Sequence, residues 1–455
     1  MLVPTQVVLI AISPGNSSPG GKGFRETRWR FCHSFDRLGG VLPVAVTRPR
    51  SLIRWMKTLM LLLLLSALTL FFCAHFSASS HGTDFPDFYS ASRLLIAGHG
   101  HELYHVQVQR QFQSRYVGRV GTLYIHPPFE ALFYLAVAWL PLNSAYALWT
   151  VLNLAFLTLI ARKLASEVLP AWDWRLLLLA SLTFVPVLLN FLQGQDSVLL
   201  LLFVTVAFTA LRCHRPFAAG CWLGLGLFKF HLVLPLALVL ALQKGRNGFL
   251  RGFALMAVTL AAVSAAISGW AVFAEYPRFL LHLEEQPFAG IFPQAMANFR
   301  GLSYVLFHND GSPSAIFTTA FLSLSALLIA LIGWQGATVA SYPICATNNH
   351  AAFDVAFGST ILFALLVSYH LNPHDLSLLL LPISLLLYRA RVEARFAFTK
   401  PAPWLVEGLI ALLFLPPLHL LALREHEYVM VAVPLLALLI ICTFLLGRKR
   451  AQQPG

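Results

Sequence analysis

Runs of about 20 apolar residues recur along most of the chain, each long enough to cross a hydrocarbon core of about 30 Å. Charge is scarce: of 455 residues, 58% are apolar and only 11% are Asp, Glu, Lys or Arg. A soluble protein carries about 25% charged residues, so this chain lacks the polar surface that a water-exposed fold needs. That excludes a soluble enzyme, a disordered chain and a secreted disulfide scaffold. Six scattered cysteines without a C-x-x-C pair imply neither a disulfide framework nor a zinc site. The expected fold class is an all-α polytopic membrane protein.

Crossings are readable at 58–76, 143–161, 176–191, 197–211, 217–228, 231–243, 250–273, 314–334, 353–369, 375–388, 403–421 and 428–446, about twelve transmembrane helices. The apolar stretch 128–141 ends at Leu140-Pro141 and reads as an interfacial or re-entrant piece. Segments 217–228 and 231–243 could instead form one helix centred on Lys229. A lysine at mid-bilayer costs about 2.5–3.5 kcal/mol or more, so two short helices with Lys229 at their outer turn are preferred. Residues 1–55, rich in Gly, Ser, Pro and Arg without helical period, read as a disordered or dispensable tail. The membrane domain occupies 56–450, with outer loops 77–127 and 274–313, and 451–455 form a cytoplasmic tail.

With both termini cytoplasmic, this tracing divides the formal +13 of the chain into +17 inside and −4 outside. Lysine and arginine bias toward the cytoplasm accounts for that split, so the basic balance does not call for a nucleic acid partner. No G-x-G-x-x-G or Walker loop is present to grip a nucleotide phosphate.

In a chain so poor in charge, the position of each ionisable group is informative. Four polar clusters fall on the expected outer face: the loop beginning Asp84-Phe85-Pro86-Asp87, the turn Gln193-Gly194-Gln195-Asp196, the triplet Lys229-Phe230-His231, and Tyr369-His370-Leu371-Asn372-Pro373-His374-Asp375. Within the first loop, Tyr104, Val108, Phe112 and Tyr116 recur at i, i+4 among glutamines, predicting a short amphipathic helix at the interface. Asp84 sits where a carboxylate has a raised pKa and can accept a hydroxyl proton, although helix capping is its simpler role. Asp87 is its neighbour and competitor for either part. His99, His101 and His105, and separately His370, His374 and Asp375, invite a metal reading, but no supporting partner is identifiable for either group. No residue is assigned to a metal; no cofactor is expected, with a divalent cation left open.

These residues sit in segments that resemble glycosyltransferase family 87 of the GT-C superfamily. The similar stretches are DFPDFYSASRLLIAGHGHELY (84–104), IHPPFEALFYLAVAWLPLNSAYALW (125–149), GQDSVLLLL (194–202), GLGLFKFHLVLPLAL (224–238) and LNPHDLSLLLLPISLLL (371–387). The resemblance implies a membrane enzyme that moves a sugar from a polyprenyl-phosphate donor to an extracytoplasmic glycan or glycolipid. It implies an aspartate base in the first outer loop, by position Asp84. Lys229, with His374 or Arg93, is then expected at the donor phosphate, and Gln195 at the sugar. Asp375 and His370 complete that group, with Asp87, His126 and Asp196 as secondary candidates. Departures at Asp196, Phe230-His231 and His374-Asp375 bear on donor identity more than on reaction class. The expected location is the cell (inner) membrane, with the active site at its extracytoplasmic face. A transporter or lipid flippase is the rival, but such proteins place ionisable groups near the bilayer midplane, whereas here the acids cluster at one face and only Asp354 and Glu407 sit in the interior of expected crossings, near their cytoplasmic ends.

Overall fold

The computed structural model describes residues 84–451, apart from 119, 170–171, 244–246, 284–291, 340–349, 394–401 and 425–426, together with 59–60 and 63–64. The expected tail 1–55, most of the first crossing 58–76, residues Glu284 and Glu285, and the end of the chain at 452–455 lie outside the described residues. Every regular element among the described residues is helical. The chain runs through α1 (Phe85–Ile96), α2 (Val106–Tyr116), α3 (Ala131–Ala138), α4 (Leu142–Glu167), α5 (Trp174–Leu182) and α6 (Val185–Gln193). Next come α7 (Ser197–Arg212), α8 (Pro216–Gly224), α9 (Phe230–Ala241), α10 (Asn247–Ser268), α11 (Val272–Leu281) and α12 (Phe299–Phe307). The last six are α13 (Pro313–Val339), α14 (His350–Val367), α15 (Leu380–Glu393), α16 (Ala402–Leu413), α17 (Pro416–Arg424) and α18 (Ala432–Ala451).

Leu142–Glu167, Pro216–Ala241, Asn247–Ser268 and Pro313–Trp334 have the length and hydropathy to cross a membrane. Two bent pairs, Trp174–Leu182 with Val185–Gln193 at 71° and Trp404–Leu413 with Pro416–Arg424 at 48°, raise the count among the described residues to six if each pair is one span. The chain is therefore membrane-embedded and, among the described residues, all-α; these lengths establish four to six crossings there and do not establish the expected twelve. Several expected spans are short apolar helices, among them Ser197–Arg212, Ala352–Val367 and Pro373–Tyr388. Polar residues rather than bilayer thickness set some of their ends: Asp196 precedes α7, and Asn372 with Asp375 forms a capping box at Pro373. The expected span 176–191 is broken where Thr183 and Phe184 leave the helix and Pro186 opens the next one.

Pro216–Ala241 has the hydropathy of a single span, but the chain folds back within it. Residues Leu225–Lys229 tighten to a 3-10 turn, and Lys229 has φ −107° and ψ 59°, outside the helical region. A methyl built on Gly226 would lie 3.0 Å from Cγ2 of Val233. Seven residues along a straight helix rise about 10 Å, so that approach requires a reversal. Lys229 accordingly stands at a turn between two short helices. That geometry keeps an ammonium at the end of each helix rather than in the middle of one.

The first loop departs from expectation in one respect. Helix α2 is present, but Gln109 and Gln113 are buried instead of solvated. Gln109 donates to the carbonyls of Leu103 (2.7 Å) and Tyr124 (3.2 Å) and accepts from the Tyr124 amide (2.8 Å). Gln113 donates to Thr122 O (2.6 Å) and accepts from the Gly121 amide (3.0 Å). The stretch 121–126 has no helix or sheet of its own, so these side chains satisfy its backbone, as burial demands.

Helices α8 and α10 approach through glycines. A methyl on Gly220 would overlap the Phe249 carbonyl, and one on Gly252 would overlap the Phe217 carbonyl, whereas Gly408 has open space around it. Gly252→Leu should force this pair apart and destabilise the protein by about 1–3 kcal/mol or more. Thermal unfolding of the detergent-solubilised protein should show that loss, with Gly408→Ala unchanged as the control.

Candidate active site

An aromatic block fixes the beginning of α1. Phe88 stacks on Tyr134 at 4.6 Å, Tyr134 packs on Trp149 at 4.1 Å, and Phe85 meets Tyr146 edge-on at 5.4 Å. These rings tie α1 to α3 and α4 and set Asp84, the residue before α1, at a defined position. Gly194 then brings in a second segment. It ends α6 with φ 65°, a left-handed conformation that favours glycine, and a side chain there would collide with Phe85. The close approach leaves the Gln195 side-chain amide 2.6 Å from Asp84 Oδ2, donating to it. The Asp84 side chain makes no capping hydrogen bond. Its carboxyl is therefore held by a side chain from a distant segment and not used up on its own helix.

Lys229 stands on the other side of the Gln195 amide. Its Nζ lies 2.7 Å from Asp375 Oδ1, 3.3 Å from Asp196 Oδ1 and 3.5 Å from Gln195 Oε1. Asp375 also accepts from Ser197 Oγ at 2.9 Å and from the Asn372 amide at 2.9 Å. Lys229, Asp196 and Asp375 are all buried. Such an arrangement holds together only because each charge has a counter-charge and hydrogen bonds. Lys229 is consequently a structural hub as well as a cation facing the cavity.

The four polar clusters meet around one cavity of about 440 Å³. Asp84, Asp87, His126, Gln195, Lys229, His370, His374 and Asp375 all line it. Asp196 lies behind Lys229 in the wall. His374 packs its Nδ1 2.7 Å from Gln193 Oε1, and its buried Nε2 has no hydrogen-bond partner. His231 contacts Ser368 Oγ at 2.8 Å, and His370 contacts Asn372 Nδ2 at 3.2 Å. Among the described residues no three His, Cys, Asp or Glu side chains are grouped to hold a metal ion.

Two expected site residues have other duties. Arg93 does not line the cavity: it donates to the Tyr89 hydroxyl (3.0 Å) and to Leu140 O (3.1 Å), and its guanidinium lies over Tyr116 at 5.1 Å. Asp87 lines the cavity but also accepts from Gln113 Nε2 at 3.1 Å and from the Thr122 hydroxyl, tying the first loop together. Sequence reasoning missed Glu130, which is fully buried with Oε2 3.0 Å from His126 Nδ1. Its signal was present: a glutamate inside an apolar stretch, four residues after a histidine. His231, Gln193 and Ser197 also take part, although the sequence alone gives none of them a role. Asn298 caps α12 and donates to Ser368 O at 2.8 Å, bracing the backbone beside His370.

Burial raises the Asp84 pKa above its ordinary value of 3.8, against the opposing effects of Gln195, His126 and Lys229. Burial also lowers His126 from 6.5 to about 4, so its imidazole is neutral near neutral pH. A helical membrane fold whose polar residues converge on one cavity, with a carboxyl linked through Gln195 to a buried cation, fits a membrane-bound group-transfer enzyme. The family model for glycosyltransferase family 87 matches residues 124–368, more than half of the chain, and the protein belongs to that family within the GT-C superfamily. It is a membrane-associated glycosyltransferase. No curated protein and no solved structure matches the chain. The family match includes Glu130, Gln195, Asp196 and Lys229 but stops short of Asp84 on one side and Asp375 on the other.

Removing one partner of a buried ion pair strands the other, at about 3–5 kcal/mol. Lys229→Met should therefore destabilise the protein by that order, and adding Asp375→Asn should cost less than it does alone. A double-mutant cycle on thermal unfolding in detergent measures the coupling.

Proposed function

We propose that this glycosyltransferase moves a sugar from a polyprenyl-phosphate donor to a glycan or glycolipid hydroxyl at the extracytoplasmic face, by a single inverting displacement. The reading rests on one observation above the others: Asp84, held by Gln195 and raised in pKa by burial, shares a cavity with Lys229, His126, His370 and His374. A phosphate-linked sugar is already activated, which accords with a chain that carries no recognised nucleotide-binding motif. Both termini lie in the cytoplasm of a multi-pass inner-membrane protein on this reading.

The acceptor oxygen attacks the anomeric carbon as the carbon–oxygen bond to phosphate breaks. The bonding electrons leave with the polyprenyl phosphate, and the hydroxyl proton passes to Asp84. Attack from the face opposite the leaving group inverts the anomeric centre. Gln195 orients the Asp84 carboxylate and stands beside the sugar. Lys229, with His370 and His374, supplies positive potential and hydrogen-bonding groups near the departing phosphate. Asp375 and Asp196 hold the Lys229 ammonium in place. Asp87 serves the loop architecture, and Arg93 is left out of the donor site because its guanidinium is committed elsewhere.

Asp84→Asn should lower transfer by about 10²–10⁴-fold, the usual contribution of general-base catalysis, with insertion and folding retained. The assay follows release of polyprenyl phosphate from labelled lipid-linked sugars in proteoliposomes. Retained activity in Asp84→Asn would sink the base assignment. Donor movement across the bilayer without release would support a flippase instead. Because the base works only when ionised, the wild-type rate should rise with pH through the raised Asp84 pKa. Its acid limb should lie above the ordinary carboxylate value of about 3.9 and then level off.

A further inference from the structure

The Asp84 side of the cavity is one end of a longer polar chain. From Asp84 the contacts run through Gln195 (2.6 Å) to Lys229 (3.5 Å) and on to Asp196 (3.3 Å). Asp196 neighbours Glu130 in the wall, and Glu130 Oε2 lies 3.0 Å from His126 Nδ1. All four oxygens of these two carboxyls are buried and make no hydrogen bond. The chain returns to the cavity at His126, which lines it alongside Asp84.

His126 is fixed with unusual completeness for a loop residue. Its carbonyl accepts from the Tyr104 hydroxyl at 2.8 Å. Its ring packs on Phe88 at 4.9 Å and Tyr124 at 5.6 Å. The Tyr124 hydroxyl in turn donates to Pro127 O at 2.7 Å, and the Tyr124 backbone is gripped by Gln109. Nδ1 faces buried Glu130, which leaves Nε2 for the cavity. A carboxyl on one imidazole nitrogen sets what the other nitrogen offers. Both Glu130 oxygens lack a hydrogen-bond partner, so a proton on Nδ1 is what that buried carboxyl needs, and Nε2 would then present a lone pair.

Resting on the glycosyltransferase reading above, we propose that His126 Nε2 accepts a hydrogen bond from an acceptor-sugar hydroxyl and so orients that sugar beside Asp84. Glu130 is the positioning residue that fixes the His126 ring and tautomer. Burying a carboxyl at this place has a cost, and a defined imidazole in the substrate cavity is what it supports. The bond places no demand on the donor phosphate, which lies at Lys229 in that reading. The groups whose charges act on His126 are Asp84, Asp196, Lys229 and Asp375, with Glu130 in direct contact.

The first test needs no substrate. Nitrogen-15 histidine NMR on the full chain in nanodiscs, with His126 identified by its loss in His126→Gln, should show the neutral tautomer protonated at Nδ1. Glu130→Leu should shift His126 toward the Nε2-protonated form, while Glu130→Gln, whose carbonyl still accepts, keeps the wild-type pattern. An Nε2-protonated ring in the wild type, or a tautomer indifferent to Glu130→Leu, overturns the proposal whatever reaction the protein performs. If Glu130→Leu does not fold, the wild-type tautomer still decides, and Glu130→Gln must leave it in place.

The second test reads substrate use, with the donor and acceptor pair that the transfer assay identifies. His126→Gln and Glu130→Leu should each raise the acceptor KM about tenfold, with the double variant no worse than either. Binding of polyprenyl phosphate alone should stay within twofold. Equal losses for acceptor and polyprenyl phosphate, or additive effects of the two substitutions, overturn it. Absence of any transfer by the wild type would count against the glycosyltransferase mechanism, while the tautomer measurement would still decide the Glu130–His126 pairing.

Discussion

One buried ammonium organises this molecule. Lys229 sits between Asp375 and Asp196 with almost no access to solvent, so its charge is tolerable only while both carboxylates stay within reach. Each carboxylate belongs to the first residues of a helix, where backbone amides and the helix dipole favour negative charge. Three remote stretches of chain are thereby pinned to one point: the turn before α7, the hairpin of α8 and α9, and the turn leading into α15. In an apolar medium, packing between helices carries little hydrophobic drive, since lipid tails solvate leucine as well as a neighbouring helix does. Polar closure of this kind supplies the register that apolar faces alone leave loose. The Arg212–Asp354 pair, 3.5 Å apart, ties α7 to α14 by the same means at the far end of α7.

The hydrophobic runs made the fold class legible, because twenty apolar residues in a row have few alternatives to a membrane helix. They did not fix helix count or ends. Periodicity carries no information about a bend such as the 71° break between α5 and α6, which depends on Thr183, Phe184 and Pro186 and on what packs beside them. Lys229 was legible as a turn residue because the cost of an ammonium at mid-span is large enough to decide between two helices and one. Gln109 and Gln113 were not: a glutamine on an amphipathic helix reads as solvated unless the irregular strand it must serve is known.

The same contrast runs through the site. Asp84, Gln195, Lys229 and Asp375 stood out because each is a polar residue in apolar company on the expected outer side. Glu130 had equal claim but sat inside a stretch read as one apolar piece, and so was absorbed into it. Arg93 had the right charge and the right loop, yet Tyr89, Tyr116 and the Leu140 carbonyl surround its guanidinium. Charge type and loop membership can be read from a sequence. The direction in which a long side chain leaves its helix follows from the rings beside it, and only packing reveals those.

Charge balance in the cavity also bears on how the proposed leaving group would be met. Lys229 is the one lysine or arginine lining it among the described residues, and two carboxylates already share its charge. A full counter-ion for a departing phosphate is therefore not available from Lys229 alone. On the proposed reading, the remaining help comes from neutral groups with fixed orientation, His370 beside Asn372 and His374 beside Gln193. Fixed dipoles in a site with little water stabilise developing charge without the reorganisation that bulk solvent requires. A site built this way would release its lipid phosphate more readily than one that clamps it with free cations, and fast product release is what repeated turnover on a membrane-bound substrate needs.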